Sequence, residues 1–369
     1  MPKKSICFVY NTSQYLFKFR LSLMLQMQSR GYVVVAIAPE DQYSCEFIKH
    51  GIKFISIKLN RKGYNIFNEI RLIAQLHKIY RRVCPEIIHH FTIKPVIFGS
   101  IAARLASNSK IINSITGLGY AFQQGWLFKK ITKWIYKLSL NSPKIKNIFQ
   151  NPDDMNEFIS HKISYSNNSH LIRSSGVDIS KFEHIRYTPP ISKMHFLFLS
   201  RMLIDKGLYE LKDAVCLLSE KKLDFILTLA GEIDNGNPRS VSKDWMKRTF
   251  KKPNCEWIGY IENIVSLLEK ADVVVLPSNY REGVPHCLIE ALAASKPIIT
   301  TDMPGCRDVI HENGILIQPK DSNALFNAMR EMINTDKLKL WSENSFRLAS
   351  KFDINVVNQQ TLTVYGINK

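Results

Sequence analysis

Short blocks of consecutive apolar, largely β-branched residues alternate along the chain with longer stretches in which apolar positions recur every three or four residues. The first pattern marks strands buried on both faces, and the second marks helices that cover them. Residues 5–10, 32–38, 52–57, 86–91 and 110–115 read as strands, with helices at 16–30, 66–83 and 95–106. A second series starts with a strand at 195–200 and continues at 225–230, 255–258, 271–276, 298–301 and 315–317, again with helices between. This alternation predicts an α/β chain with two parallel, doubly wound sheets. Between the two series, residues 165–170 are polar and residues 181–193 contain Pro189-Pro190, so both stretches read as loop and linker. The expected organisation is a first domain at 1–186, a second at 187–351 and a C-terminal segment at 352–369.

A length of 369 residues agrees with two cores. No apolar run reaches the roughly eighteen residues of a spanning helix. The apolar stretch after Lys3-Lys4 is too short for a signal peptide, which leads to the expectation of a cytoplasmic protein. The seven cysteines are scattered and form no C-x-x-C pair, which argues against a disulfide framework and a zinc site. Cys287 and Cys306 read as small buried thiols.

Charge changes the picture more. The net charge is +18, and residues 1–185 hold 26 Lys+Arg against 10 Asp+Glu, leaving 24 against 22 for the remainder. So uneven a field implies an anionic partner for the first half. Nucleic acid would satisfy it, but the chain shows no nucleic-acid-binding motif and no continuous basic tail. A membrane surface or a diphosphate-bearing substrate fits better.

The densest candidate chemistry is S-N-Y-R-E-G-V-P-H-C-L-I-E, from Ser278 to Glu290. It joins the strand that ends at Pro277 to a helix whose Leu288, Ile289, Leu292 and Ala293 recur at helical spacing. Glu282 falls in the loop and Glu290 in the helix, so one polar ligand over the helix start reaches both carboxylates. In open α/β sheets ligands bind beyond the carboxyl ends of the strands. Arg201 and Lys206 follow the strand at 195–200, where they are either diphosphate-binding cations or a solvated loop pair.

The stretch E-G-V-P-H-C-L-I-E-A-L-A-A resembles the E-x7-E element of the retaining GT-B glycosyltransferases of family 4. Further similar stretches stand in the same order: Lys94-Pro95, Thr116-Gly117-Leu118-Gly119, Gly176-Val177-Asp178, Ser200-Arg201 with Lys206-Gly207, Ala230-Gly231, Gly259-Tyr260, Leu276-Pro277-Ser278 and Asn313-Gly314. They are similar to the branch that builds lipid-linked bacterial glycans, and the resemblance covers nearly the whole chain. It implies two Rossmann-like domains facing across a cleft. It also implies retaining, metal-independent transfer of a hexose or N-acetylhexosamine from a UDP-sugar to a polyprenyl-diphosphate-linked saccharide, as in O-antigen, capsule or glycoprotein glycan assembly. A soluble acceptor is the alternative. No cofactor is implied beyond the UDP-sugar donor.

Carried over residue by residue, Arg201 and Lys206 hold the departing diphosphate, Glu282 lies at the donor sugar and Glu290 at the ribose. Gly231, Gly259, Tyr260, Gly283, Val284 and Pro285 line the nucleotide-sugar site, with His286 either a ligand or a helix-surface residue. On the first domain, the loop of Thr116, Gly117, Leu118 and Gly119, together with His90 and Lys94, is expected at the acceptor. The chain departs from the family in its first loop, Asn11-Thr12-Ser13-Gln14-Tyr15, which lacks the glycines by which many relatives let the backbone approach a phosphate or the donor sugar. Asn151-Pro152-Asp153-Asp154 reads as a helix cap and first turn rather than a metal-binding pair.

Residues 126–140 form the last candidate. Leu127, Phe128, Ile131, Trp134, Ile135 and Leu138 share one helical face, and Lys129, Lys130, Lys133 and Lys137 fall opposite. The pattern fits an interfacial helix on anionic lipid or a helix packed on its own sheet with a solvated lysine face. The charge of the first half favours peripheral contact with the inner face of the cell membrane, through Trp126, Trp134 and the four lysines.

Overall fold

The structure, a computed structural model, describes residues 4–60, 65–106, 108–118, 126–190 and 192–367; the side chains of residues 127–129 lie outside that set. It divides into two compact units, Met1–Ser175 with Asn355–Lys369, and Gly176–Ile354.

The first unit holds seven parallel strands in the order β3-β2-β1-β4-β5-β6-β7. They are β1 (Ser5–Val9), β2 (Val33–Ala38), β3 (Lys53–Ser56), β4 (Ile87–Phe91), β5 (Lys110–Ile115), β6 (Ile145–Phe149) and β7 (Ser169–Leu171). The central strands are buried along their whole length, as β-branched runs covered on both faces must be. Ile6, Phe8, Ile87 and Phe91 point into one core layer, and Cys7, Val9 and Ile88 into the other. The strand order reverses between β1 and β4, whose register places Val9 beside His90. Thr12 caps the helix Ser13–Ser29 by accepting from the Tyr15 N–H, so the loop after β1 is short.

The second unit holds six parallel strands in the order β10-β9-β8-β11-β12-β13. These are β8 (Met194–Leu199), β9 (Phe225–Ala230), β10 (Cys255–Gly259), β11 (Val273–Leu276), β12 (Ile298–Thr301) and β13 (Gly314–Ile317). Here the order reverses between β8 and β11. The short helix His286–Ala293 follows β11 and buries Leu288, Ile289 and Leu292 in the unit's single large core.

Three expectations are corrected. The first unit ends at Ser175, not at 186, because Val177 donates to the Phe352 carbonyl, Ile354 donates back to Val177, and Phe182 and Ile185 join the second core. Residues 169–171 are not linker but β7, paired with β6. The segment 95–106 begins as a wide π-helical turn at Pro95–Gly99 before continuing as the helix Ser100–Ala106. The final helix, Ile354–Tyr365, packs in the first unit, where Asn358 donates to Ser22 and the Tyr365 hydroxyl meets His89.

Candidate functional site

In the second unit the predicted chemistry gathers at the carboxyl ends of β8 and β11, where the strand order reverses. Two glycines make the approach of these loops possible. Gly207 has φ +82°, and a Cβ there would lie 2.0 Å from the Pro277 carbonyl oxygen; at Gly231, with φ +149°, it would lie 1.7 Å from that of Ser200. No other residue fits at such distances.

The loop after β8 thereby brings Lys206 to Glu282, with Nζ donating to Oε2 at 2.5 Å. Both side chains are largely withdrawn from solvent. The Ser278 hydroxyl donates to the other Glu282 oxygen at 2.7 Å, so both oxygens of that carboxylate are held. The Asn279 N–H donates to the Asp205 carbonyl at 2.8 Å and locks the two loops together. Arg201 donates to Asp234 Oδ2 at 2.6 Å and is the more exposed cation. Arg239 forks onto Asp205 through Nε and a terminal nitrogen, at 2.8 and 2.7 Å. Asp234, Asp205 and Arg239 were not among the residues read from the sequence. The turn D-N-G-N-P at 234–238 was the available signal, but a turn does not reveal which cation it will meet.

Glu290 lies within hydrogen-bond reach of His286, Oε1 to Nδ1 at 2.7 Å, while His286 Nε2 meets the Gly176 carbonyl at 3.2 Å. His286 therefore orients the carboxylate. Gly283, Val284 and Pro285 are buried just ahead of the helix, and Tyr260 is exposed. Gly259, at φ +76° beside open space, accepts from the Gly231 N–H. Burial pushes the Cys306 thiol up to about 12 and the Cys287 thiol higher still, so neither is a nucleophile at neutral pH.

The first-unit candidates fare differently. His90 is fully buried with Nε2 on Tyr80 and Nδ1 on Asn113, and burial lowers its pKa to about 4. Lys94 is buried against Glu69 at 2.5 Å. Leu118 is buried in a cluster with Val96, Tyr136 and Phe158. These three support the strand ends from inside and are corrected from ligand-facing to structural. Thr116 and Gly117 remain half-buried at the end of β5, and Gly119 lies outside the described residues. Asp154 is held by Asn151, whose side chain both accepts from its N–H and donates to its carboxylate, which makes the pair a helix cap.

The helix Trp126–Leu140 turns its tryptophans outward and packs through the face between them and the sheet. Thr132, Tyr136, Ser139 and Leu140 face inward, whereas Trp126 is 76% and Trp134 62% exposed, with Ile131 and Leu138 beside them. Lys130 and Lys137 are exposed on the same side. Lys133 is corrected: it is partly buried in an ion pair with Glu157 at 2.7 Å. The Lys129 side chain is not among those described.

Residues 182–347 match the family described as "Glycosyl transferases group 1", and residues 5–151 match "Glycosyl transferase 4-like". The chain therefore carries a group 1 glycosyltransferase domain in its second half and a glycosyl transferase 4-like domain in its first. One similar relative is the N,N'-diacetylbacillosaminyl-diphospho-undecaprenol alpha-1,3-N-acetylgalactosaminyltransferase of Campylobacter jejuni, 27% identical over 98% of each chain. Another is the UDP-Gal:alpha-D-GlcNAc-diphosphoundecaprenol alpha-1,3-galactosyltransferase of Escherichia coli, 20% identical over 81% of this chain and 79% of that one. Among solved structures, a glycosyltransferase of Rickettsia africae superposes with a TM-score of 0.80 at 19% identity, covering 99% of this chain and 98% of that one. HepE of Anabaena in complex with UDP-glucose gives 0.78 at 16% identity, covering 98% and 99%. At such identities the likeness establishes the GT-B fold of this glycosyltransferase and leaves its substrates to chemistry.

Proposed function

We propose that this glycosyltransferase moves a hexosyl or N-acetylhexosaminyl group from a UDP-sugar to a polyprenyl-diphosphate-linked saccharide, with retention of configuration and without a metal. The observation that carries the reading is the Lys206–Glu282 pair, held at the strand-order reversal of the second unit beside Arg201 and the Glu290 helix. As the sugar–phosphate bond breaks, negative charge develops on the UDP diphosphate. Lys206, Arg201 and the backbone N–H groups at the helix start supply fixed positive charge for it. The acceptor hydroxyl forms the new glycosidic bond, and its proton leaves with the diphosphate. Glu282 is placed to accept from sugar hydroxyls, and Glu290 from the ribose. The lipid-linked acceptor is supported by the names of the two bacterial relatives, both of which act on diphospho-undecaprenol saccharides.

The outward face of the Trp126–Leu140 helix supports work at an anionic membrane surface. Indole rings, aliphatic side chains and two free-standing lysines on one exposed face suit the headgroup boundary. No helix among the described residues is long and apolar enough to cross a membrane, so contact through this face is peripheral.

The test is a donor panel of UDP-hexoses and UDP-N-acetylhexosamines with a short polyprenyl-diphosphate saccharide, run with excess EDTA, and the product anomer read by NMR. The expected result is transfer to the lipid-linked acceptor with the donor's anomeric configuration, undiminished by chelator. Transfer to a soluble glycan alone, an inverted product, or activity restored only by Mn²⁺ would each overturn the corresponding part.

A further inference from the structure

The loop after β9, residues 231–241, runs antiparallel along the loop after β8. The Met202 N–H donates to the Glu232 carbonyl, the Val241 N–H donates to the Met202 carbonyl, and Leu203 and Ser240 form a bridge between them. The Ile204 N–H donates to the Arg239 carbonyl at 2.8 Å. Two successive turns bring the loop back. The Asn237 N–H closes the first on the Asp234 carbonyl at 2.9 Å, and the Ser240 N–H closes the second on the Asn237 carbonyl at 3.0 Å. Gly236 takes φ +79° in the first, a conformation that favours glycine, and Pro238 presets φ in the second.

Asn237 stands where the two turns meet, and its side chain spans them. Its Nδ2 donates to Asp234 Oδ2 at 3.1 Å, and its Oδ1 accepts from the Arg239 N–H at 3.0 Å. On one side, Asp234 Oδ2 is the oxygen that accepts from Arg201. On the other, the Arg239 guanidinium forks onto Asp205, the residue before Lys206, whose carbonyl accepts from the Asn279 N–H. This chain of contacts begins at one diphosphate-binding cation and ends next to the other. The Arg239 side chain is 44% exposed, so the fork adds little packing, and what it fixes is the loop that carries Lys206.

We propose that Asn237 and Arg239 are positioning residues for the donor diphosphate, forming a clasp at 234–240 that sets where Arg201 and Lys206 stand before the nucleotide arrives. The identity of that ligand rests on the UDP-sugar reading above. A diphosphate offers two phosphoryl groups, and cations held at a fixed separation meet both without reorganising. With the clasp cut, each cation keeps its charge but not its place. The loss then falls on the phosphate contacts and spares those to base and ribose.

The experiment measures dissociation constants of UDP, by calorimetry, and of uridine, by competition. Arg239→Met and Asn237→Ala are each expected to weaken UDP about tenfold while changing uridine by less than about twofold. Arg239→Lys is expected to recover part of the loss. Asp205→Asn separates positioning from simple attraction. It removes a negative charge near the diphosphate, so long-range attraction alone predicts tighter UDP, whereas a cut clasp predicts weaker UDP, by about the same factor as Arg239→Met. The double variant of Arg239→Met and Asp205→Asn is expected to be no worse than either single, because both break one link.

Equal losses for UDP and uridine would make the two turns a general support of the loop and overturn the proposal. Tighter UDP in Asp205→Asn would make Arg239 a remote charge and overturn it too, as would unchanged UDP affinity in both Arg239→Met and Asn237→Ala. A wild type that prefers ADP or GDP overturns the UDP donor alone. A loss of about tenfold for that diphosphate in Arg239→Met, with its nucleoside unaffected, then still supports the clasp.

Discussion

The two strand-order reversals of this chain occupy the same topological position and are electrostatically opposite. At β8/β11 three cations are each matched by a carboxylate: Lys206 by Glu282, Arg201 by Asp234 and Arg239 by Asp205. At β1/β4 the buried cation Arg20 has no carboxylate partner among the described residues, and His89 and His90 are held neutral by burial. A site whose charges are matched before the ligand arrives gains little from an arbitrary anion. It favours a ligand that takes over the cations and offers hydroxyls to the released carboxylates, which describes a nucleotide sugar.

The largest expected effect tests the matching itself. Lys206→Ala removes one member of a mostly buried pair and leaves Glu282 uncompensated, so stability is expected to drop by about 2–3 kcal/mol and turnover by roughly a hundredfold. Adding Glu282→Gln to it should recover part of the stability but none of the activity. Chemical denaturation of the single and double variants reads the first outcome, and steady-state kinetics the second. Equal stability for wild type and Lys206→Ala would show that the pair is incidental to the fold.

Glu282→Gln alone keeps the shape of the side chain and should retain the fold while lowering kcat at least about tenfold, the cost of about 1.4 kcal/mol at the transition state. An unchanged kcat removes Glu282 from the site.

The pH dependence of folding sharpens the contrast. The folded-state pKa of His90 is lowered to about 4 from 6.5, chiefly by burial, and that of His89 is lowered as well. Below 6.5 the unfolded chain takes up protons that the folded first unit refuses. Stability is therefore full above pH 6.5 and lost as pH falls towards 4, with a slope of up to about 1.4 kcal/mol per pH unit for His90. Denaturation followed between those pH values should show the slope, and His90→Gln should flatten it whatever it does to the midpoint.

Smaller effects are expected at exposed positions. Arg201→Ala breaks a pair that water already screens, so it should raise KM for the donor several-fold to about tenfold with little change in melting temperature. Replacing Trp134 by Ala with Lys130 and Lys137 by Gln should reduce co-sedimentation with anionic vesicles, each lysine contributing on the order of 1 kcal/mol at low salt. UDP affinity should stay unchanged. Equal sedimentation of wild type and variant at low and high salt would reject the membrane-facing helix.

Much of this molecule was legible from one dimension. Apolar runs such as Ser5–Val9 and Val273–Leu276 have to be buried on both faces, and that requirement specifies strands in parallel sheets without knowledge of any contact. The strand-to-helix spacing put Glu282 and Glu290 at one helix start for the same reason: local geometry repeats along the backbone. The Trp126–Leu140 helix shows where periodicity stops. Both of its faces carry apolar residues, so only the packing of Tyr136 and Leu140 against Phe149 and Phe158 decides that the tryptophans turn outward.

Charge pairing was decided by tertiary structure alone. Lys206 and Glu282 are 76 residues apart, and Arg201 and Asp234 are 33 apart, so no sequence pattern links them until the loops are folded. His90, Lys94 and Leu118 lie near strand ends in sequence and were expected at a ligand. Their burial depends on Tyr80, Glu69 and Tyr136, which arrive from distant helices. By itself the sequence determined which segments are strands and helices and which short stretches carry chemistry, because those follow from hydrophobic period and local turn geometry. Which charges are neutralised depends on long-range packing, because electrostatic partners are set by distance in space and by the exclusion of water.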